Sequence, residues 1–322
     1  MTTQARYIAA IDIGTNSFHL LIAKIKGMSF EIIHRERKVL RLRDKDHSDR
    51  FTIRNEKINE ATELLKEFSA KSKIYNAEIH AVATSALRDA DNKETVCKKI
   101  ADAAEIDIKI LSGDEEAVLS FYAAVYGKEI SNKKVLVFDL GGGSTEFIIG
   151  QSGEIIYKTS VQLGAVRFTQ QYFPDFYISS DGIENFRQNV RAVLLSVQKE
   201  ILNHGFDYCV GIGGTITAVS WLIEKNVFGR EHNFRILHDY RITKDDFEQV
   251  KQIVLSKKSL EERKLIHGLE LKRADIIPAG VLIVNELFEL FQITEIVASG
   301  NSIKEGIILN LLEAGRQSPG KP

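Results

Sequence analysis

One recurring pattern narrows the fold of this chain more than any other feature. Ile11-Asp12-Ile13-Gly14-Thr15-Asn16-Ser17 and Phe138-Asp139-Leu140-Gly141-Gly142-Gly143-Ser144 share the form Asp-x-Gly-x-x-Ser. Each copy ends an apolar run that reads as a buried strand, and each runs into a further strand pattern. Internal self-similarity of this kind is the mark of a duplicated unit. Two similar halves, each opening strand-turn-strand, are therefore expected, with a cleft between them.

The rest of the chain fits that frame. Strand patterns fall at 7–13, 18–26, 30–39, 78–83 and 106–111, and again at 134–140, 146–150, 154–161, 208–212 and 295–298. Helical spacing falls at 55–73, 93–104 and 115–126, and again at 183–202, 215–223 and 274–290. Ile58, Ala61, Leu65 and Phe68 share one face of the first of these helices. Strands alternating with helices indicate α/β layers around a mixed sheet. A chain of 322 residues suits two domains. The polar segment 127–133 sets the boundary: domain I over 1–128, domain II over 129–302. A C-terminal helix near 303–314 is expected to pack back on domain I, and 315–322 reads as a flexible tail.

Composition excludes several classes. Hydrophobic residues make up 44% and charged residues 27%, which argues against disorder. A net charge of -1 predicts neither a nucleic-acid nor a membrane partner, although a local basic groove remains compatible with a polyanionic substrate. The basic stretch 35–54 reads as a solvated face rather than a rail for a long polyanion. Cys97 and Cys209 have no metal-ligand or redox spacing and read as reduced thiols. The eight histidines have no such spacing either. No signal-peptide pattern and no long uncharged apolar run is visible, so a cytoplasmic setting is expected.

The paired loops carry the chemistry. Gly14, Gly141, Gly142 and Gly143 let backbone N–H groups approach an anion closely. Successive N–H groups in such a turn form a concave phosphate site. Thr15, Asn16, Ser17, Ser144 and Thr145 add polar side chains. A carboxylate at the strand end repels phosphate, so Asp12 and Asp139 point to a bound Mg²⁺ or a held water.

Three further segments are less specific. Gly213 and Gly214, in Gly211-Ile212-Gly213-Gly214-Thr215, link a strand to a helix, as either tight packing or an anion site requires. Ser112-Gly113-Asp114-Glu115-Glu116 opens a helix. Its acids are favoured by the helix dipole alone, yet exceed what capping needs, and one of them could deprotonate an attacking water. Arg88 follows a strand end, either as a surface residue or as a fork for phosphate oxygens.

At these residues the chain resembles the exopolyphosphatase / guanosine pentaphosphate phosphatase family. The motifs are Asp12-Ile-Gly-Thr-Asn-Ser17, Thr84-Ser-Ala-Leu-Arg88, Leu111-Ser-Gly-Asp-Glu-Glu-Ala117, Asp139-Leu-Gly-Gly-Gly-Ser-Thr-Glu146 and Arg273-Ala-Asp-Ile-Ile-Pro-Ala-Gly280. The resemblance implies two actin-like, ribonuclease-H-type domains with the active-site cleft between them, in the short two-domain form. It implies Mg²⁺-dependent hydrolysis of terminal phosphoanhydrides, with room for a monovalent cation and for a homodimer. It assigns Glu116 as the catalytic glutamate and Asp139 with Glu146 as the acidic pair. Asp12, Asp139 and Glu146 are then the expected metal ligands. One position departs from the family pattern: Lys304 precedes Glu305-Gly306 where an Arg is usual, which keeps charge and loses bidentate geometry.

Inorganic polyphosphate is the leading substrate expectation, and guanosine pentaphosphate the nearest alternative on the same residues. An ATP-dependent kinase of the same superfold would need an acceptor site and a catalytic Asp. A non-catalytic polyphosphate- or nucleotide-binding regulator would have little use for Glu116, Asp139 and Glu146 together.

Overall fold

The computed structural model describes residues 5–42, 51–128, 130, 132–230 and 238–317, with side chains to residue 314. They form two compact units, Met1–Ala123 with Ile303–Pro322, and Ala124–Ser302.

The first unit holds β1 (Tyr7–Ile13), β2 (Ser17–Lys26), β3 (Ser29–Val39), α1 (Asn55–Ile74), β4 (Glu78–Ala83), α2 (Ser85–Arg88), α3 (Lys93–Ala104), β5 (Ile108–Ile110) and α4 (Gly113–Val125), and takes back α11 (Ile303–Gln317). Its sheet order is β3-β2-β1-β4-β5. The first three strands form an antiparallel meander, and β4 and β5 join in parallel.

Strand β1 explains this layering. It is buried on both faces, as a central strand must be, and so reads as a continuous apolar run. Ala9, Ile11 and Ile13 pack with Ile58, Leu65 and Phe68 of α1 and Val96 and Ile100 of α3. Ile8 and Ala10 point the other way, to Leu119 of α4 and Ile303, Ile307, Ile308 and Leu312 of α11. Four such aliphatic side chains are worth on the order of 6–12 kcal/mol, as an upper figure. That burial holds the chain's last helix in the first unit.

The second unit repeats the plan. It holds β6 (Lys134–Leu140), β7 (Thr145–Gln151), β8 (Glu154–Val161), α5 (Ala165–Tyr172), α6 (Ser180–His204), β9 (Tyr208–Ile212), α7 (Gly214–Asn226), β10 (Tyr240–Thr243), α8 (Lys244–Ser256), α9 (Leu260–Lys264), a 3₁₀ turn (Leu271–Arg273), α10 (Ile277–Leu290) and β11 (Glu295–Ala298). The order is β10-β11-β9-β6-β7-β8, again a meander extended by parallel crossover strands. Each unit is thus an actin-like, ribonuclease-H-type domain with a mixed sheet flanked by helices.

Several details differ from the sequence expectation. Helix α11 runs to Gln317, so residues 315–317 are helical rather than tail, and 318–322 lie outside the described residues. The units divide inside the end of α4, at Ala123/Ala124. Helices α5, α8 and α9 and strand β10 were not anticipated. Of the basic stretch 35–54, residues 43–50 lie outside the described residues. No described helix is long and apolar enough to cross a membrane.

Candidate active site

The candidate residues fall in both units. In the first, β1 and β2 are joined by a tight hairpin with Ile13 opposite Phe18. Gly14 donates its N–H to the Ser17 carbonyl at 3.1 Å. A Cβ at Gly14 would stand 2.9 Å from that oxygen, so the turn closes only around glycine. Side chains brace it: Thr15 Oγ1 and Ser85 Oγ share a hydrogen bond of 2.8 Å, and Arg41 Nε donates to Asn16 Oδ1 at 2.9 Å. Asp12 is buried and sits across the ladder from His19.

Glu115 and Glu116 take opposite roles in the first turn of α4. Glu115 closes a capping box, accepting from the Ser112 N–H while Ser112 Oγ accepts from the Glu115 N–H. Its hydrogen bond with Lys109, then that cap, pull its pKa down to about 2. Glu116 is turned inward and buried, with Oε2 accepting from Arg88 Nη1 at 2.8 Å. The same Nη1 donates to the Leu111 carbonyl. Arg88 is therefore not simply an open fork for phosphate, because one arm orients Glu116. Its Nη2 is buried and makes no hydrogen bond among the described residues. Behind α4, Gly306 lets α11 approach closely: a Cβ there would lie 2.1 Å from the Leu119 carbonyl oxygen.

The second unit builds the matching hairpin with more support. Gly141 N–H donates to the Ser144 carbonyl at 3.0 Å, as Gly14 does to Ser17. Helix α5 then engages the loop's carbonyls. Ala165 N–H donates to Gly141 O, Val166 and Arg167 N–H to Gly142 O, and Arg167 Nε to Gly143 O. None of these peptide bonds is cis. In a trans peptide the N–H opposes the C=O. The amides of Gly142, Gly143 and Ser144 are therefore turned away from α5, as an anion cradle requires. Gly164 permits the contact, since a Cβ there would stand 2.4 Å from Gly142 and Gly143 backbone atoms.

Asp139 and Glu146 face each other across the β6–β7 ladder, both buried. Ser160 Oγ donates to Glu146 Oε1 at 2.7 Å and fixes that carboxylate. Thr145 corrects an expectation. Its hydroxyl donates to the Leu163 carbonyl and is fully buried, so it braces the loop instead of offering a donor to phosphate.

Gly213 has φ of 104°, and a Cβ there would lie 2.4 Å from Leu140 O and 3.3 Å from Asp139 Oδ1. Its glycine is explained by close packing on the end of β6. Gly214, first residue of α7, lies under the Arg273 guanidinium, whose Nη1 and Nη2 would both be 2.2 Å from an added Cβ. Arg273 thus sits over the α7 N-terminus, with Nε held by Glu270 at 3.1 Å.

With this geometry in view, comparisons with known proteins are decisive. A profile of the Ppx/GppA phosphatase family matches residues 21–314. The chain belongs to that family. It is accordingly a phosphatase, a hydrolytic enzyme. Among solved structures, an exopolyphosphatase from Cytophaga hutchinsonii is 25% identical with a TM-score of 0.89, over 96% of this chain and 98% of that one. The Aquifex aeolicus PPX-GPPA enzyme is 26% identical with a TM-score of 0.78, over 95% and 100%.

A family enzyme of this kind raises the question of a metal. Among the described residues, no group of three or more His, Cys, Asp or Glu side chains could hold a metal ion by itself. Asp12 lies in the first unit, and Asp139 with Glu146 in the second. A facing carboxylate pair still fits Mg²⁺, which is held by one or two carboxylates and takes phosphate oxygens and water for the rest.

Sequence reasoning missed four contributors. His19 occupies the ladder position that Glu146 holds in the other unit, and its Nε2 lies 2.9 Å from Ser17 Oγ. Counting seven residues on from each strand-end Asp would have found it. Arg167 and Gly164 carry no local motif. Arg273 lay within a recognised motif, but its place over Gly214 is a tertiary fact.

Proposed function

We propose that this chain hydrolyses the terminal phosphoanhydride bond of inorganic polyphosphate and releases orthophosphate. The observation that carries the reading is the second loop. Three of its carbonyls are tied to α5, which turns its amides outward beside a buried pair of carboxylates. Phosphoryl transfer depends chiefly on positioning and charge stabilisation, and this is the equipment for both.

Each unit has its task. The amides of Gly142, Gly143 and Ser144, with Arg273 nearby, bind and orient phosphate oxygens. The hairpin of Gly14, Thr15, Asn16 and Ser17 holds a further phosphate, and Arg88 Nη2 is the donor left for it. Glu116, its Oε2 fixed by Arg88, takes a proton from the attacking water. The water oxygen bonds to the terminal phosphorus, the bridging P–O bond breaks, and the shortened chain leaves with the bonding pair. Mg²⁺, when bound, would be held by Asp139 and Glu146 of the second unit and would supply neutralisation of phosphate charge, and Asp12 is the first unit's own candidate carboxylate. A cytoplasmic setting, a monovalent cation and a homodimer belong to the same proposal.

The test is orthophosphate release from long polyphosphate, tripolyphosphate and guanosine pentaphosphate in parallel, each with Mg²⁺ and with excess chelator. Release from polyphosphate that the chelator abolishes is expected. Release from guanosine pentaphosphate alone would move the substrate to that nucleotide. Tight polyphosphate binding without release from any substrate would make the protein a binder.

A further inference from the structure

Arg263, in α9, is completely buried, yet no carboxylate pairs with it among its hydrogen bonds. Its guanidinium is spent on backbone carbonyls. Nε donates to Ala274 O at 2.7 Å, Nη1 to Lys257 O at 3.2 Å and Lys258 O at 3.0 Å, and Nη2 to Phe176 O at 2.6 Å. Burial opposes its charge, and Asp275 followed by Glu262 favours it at longer range. Burying a cation is costly, and an apolar side chain of similar size would fill the volume without that cost. What an apolar side chain would lack is the fork of donors that gathers these carbonyls.

The gathered segments are informative. Ala274 directly follows Arg273, and the turn between them is short: Arg273 N–H bonds Glu270 O and Ala274 N–H bonds Leu271 O. Holding the Ala274 carbonyl therefore fixes the base of the Arg273 side chain, whose guanidinium lies over Gly214. Phe176 belongs to the loop that leaves the end of α5, the helix whose start orients the 141–143 carbonyls. It adopts φ of 60°, a left-handed conformation that non-glycine residues keep only where the surroundings impose it. At the other end of α5, Ala165 and Val166 pack against Ile276. One buried guanidinium thus bonds both to the segment that presents Arg273 and to the segment that ends the loop's supporting helix.

We propose that Arg263 is a positioning residue for phosphate binding in the second unit, setting the placement of Arg273 over the α7 N-terminus by holding the Ala274 carbonyl. The proposal rests on the functional reading above, in which Arg273 serves the phosphate site.

The experiment is a double-mutant cycle on the full chain. Arg263→Lys, Arg273→Ala and the double variant are compared by KM and kcat for polyphosphate, by calorimetric Kd for inorganic tripolyphosphate, and by melting temperature. Arg263→Lys keeps the charge but cannot hold four carbonyls, so KM and Kd are expected to rise about tenfold, with kcat within about threefold. In the Arg273→Ala background the same substitution should change neither KM nor Kd further. A purely structural role would lower the melting temperature and leave Kd unchanged, or would multiply with Arg273→Ala, and either result overturns the proposal. Arg263→Gln serves as a second variant, and failure of both to fold would also overturn it by assigning Arg263 to the fold as a whole. Wild-type protein that binds tripolyphosphate without hydrolysing it would sink the catalytic reading alone, because the cycle is still read by Kd. Absence of binding by wild-type protein would sink both.

Discussion

Gly164→Ala separates catalytic positioning from stability. An added Cβ would stand 2.4 Å from Gly142 C, Gly142 O and Gly143 N, all backbone atoms. Nonbonded carbon contacts relax only at about 3.5 Å, so α5 and the glycine loop must part by about 1 Å. Gly164 has φ of -143° and ψ of 150°, extended backbone open to any residue, so contact alone is responsible. Displacement of about 1 Å at a reacting centre costs on the order of 100-fold in rate. Overpacking costs about 1–3 kcal/mol, or roughly 2–4 °C of melting temperature per kcal/mol for a unit of this size. Gly153→Ala is the control. Its φ of 85° makes substitution strained, at a cost of about 1 kcal/mol, while no other atom lies within 4 Å. Phosphate-release kinetics and calorimetric melting on both variants decide the matter. Gly164→Ala should lose about 100-fold in kcat/KM, and Gly153→Ala should lose stability only. Wild-type kcat/KM in Gly164→Ala, or equal losses of activity in both variants, would show that the Gly164 contact does not position the glycine loop for catalysis.

Other expectations follow from the same geometry. Glu115→Gln, one residue from Glu116, keeps an acceptor for the Ser112 N–H but loses the charge that faces Lys109 in the first turn of α4, and should cost about 0.3–1 kcal/mol while leaving kcat near wild type. The folded-state pKa of Glu115 is depressed to about 2 from an ordinary value of 4.5. Its stabilisation is therefore present above the ordinary value and lost as pH falls toward 2, so denaturation midpoints of the two proteins should converge on acidification. Gly306→Ala must push α11 off the Leu119 backbone, and should both lower the melting temperature and reduce kcat, because α4 carries Glu116. Deleting residues 303–322 removes burial comparable to the whole stability of a domain, about 5–15 kcal/mol. The first unit should then give no cooperative melting transition, while the second retains one.

The sequence made the frame legible because its two strongest signals are local. A strand buried on both faces reads as an apolar run, and a tight anion-binding turn demands glycines at fixed places. Strands β1, β4, β6, β9 and β11 were found at their ends for that reason, and β8, a half-exposed edge strand, was found from its alternation and the Gln151-Ser152-Gly153 turn before it. Helix α8 was missed although Phe247, Val250 and Val254 form a buried stripe, because its remaining face is polar and charged. Within the site, residue type did not separate Glu115 from Glu116. Only the helix start did, by spending Glu115 on Ser112. Thr145 looked like a donor for phosphate, and the Leu163 carbonyl claims its hydroxyl. Arg263 reaches the Phe176 carbonyl and Arg167 the Gly143 carbonyl, partners distant in sequence that no spacing rule reaches.

The central claim is that Glu116 serves as base while the loops bind phosphate. It is tested most directly by orthophosphate release and tripolyphosphate binding in Glu116→Gln. The substitution keeps the side chain's size and its ability to accept from Arg88, and removes its basicity. A fall in kcat of about 10²–10⁴ is expected, with Kd within about threefold of wild type. Turnover near the wild-type rate would contradict it.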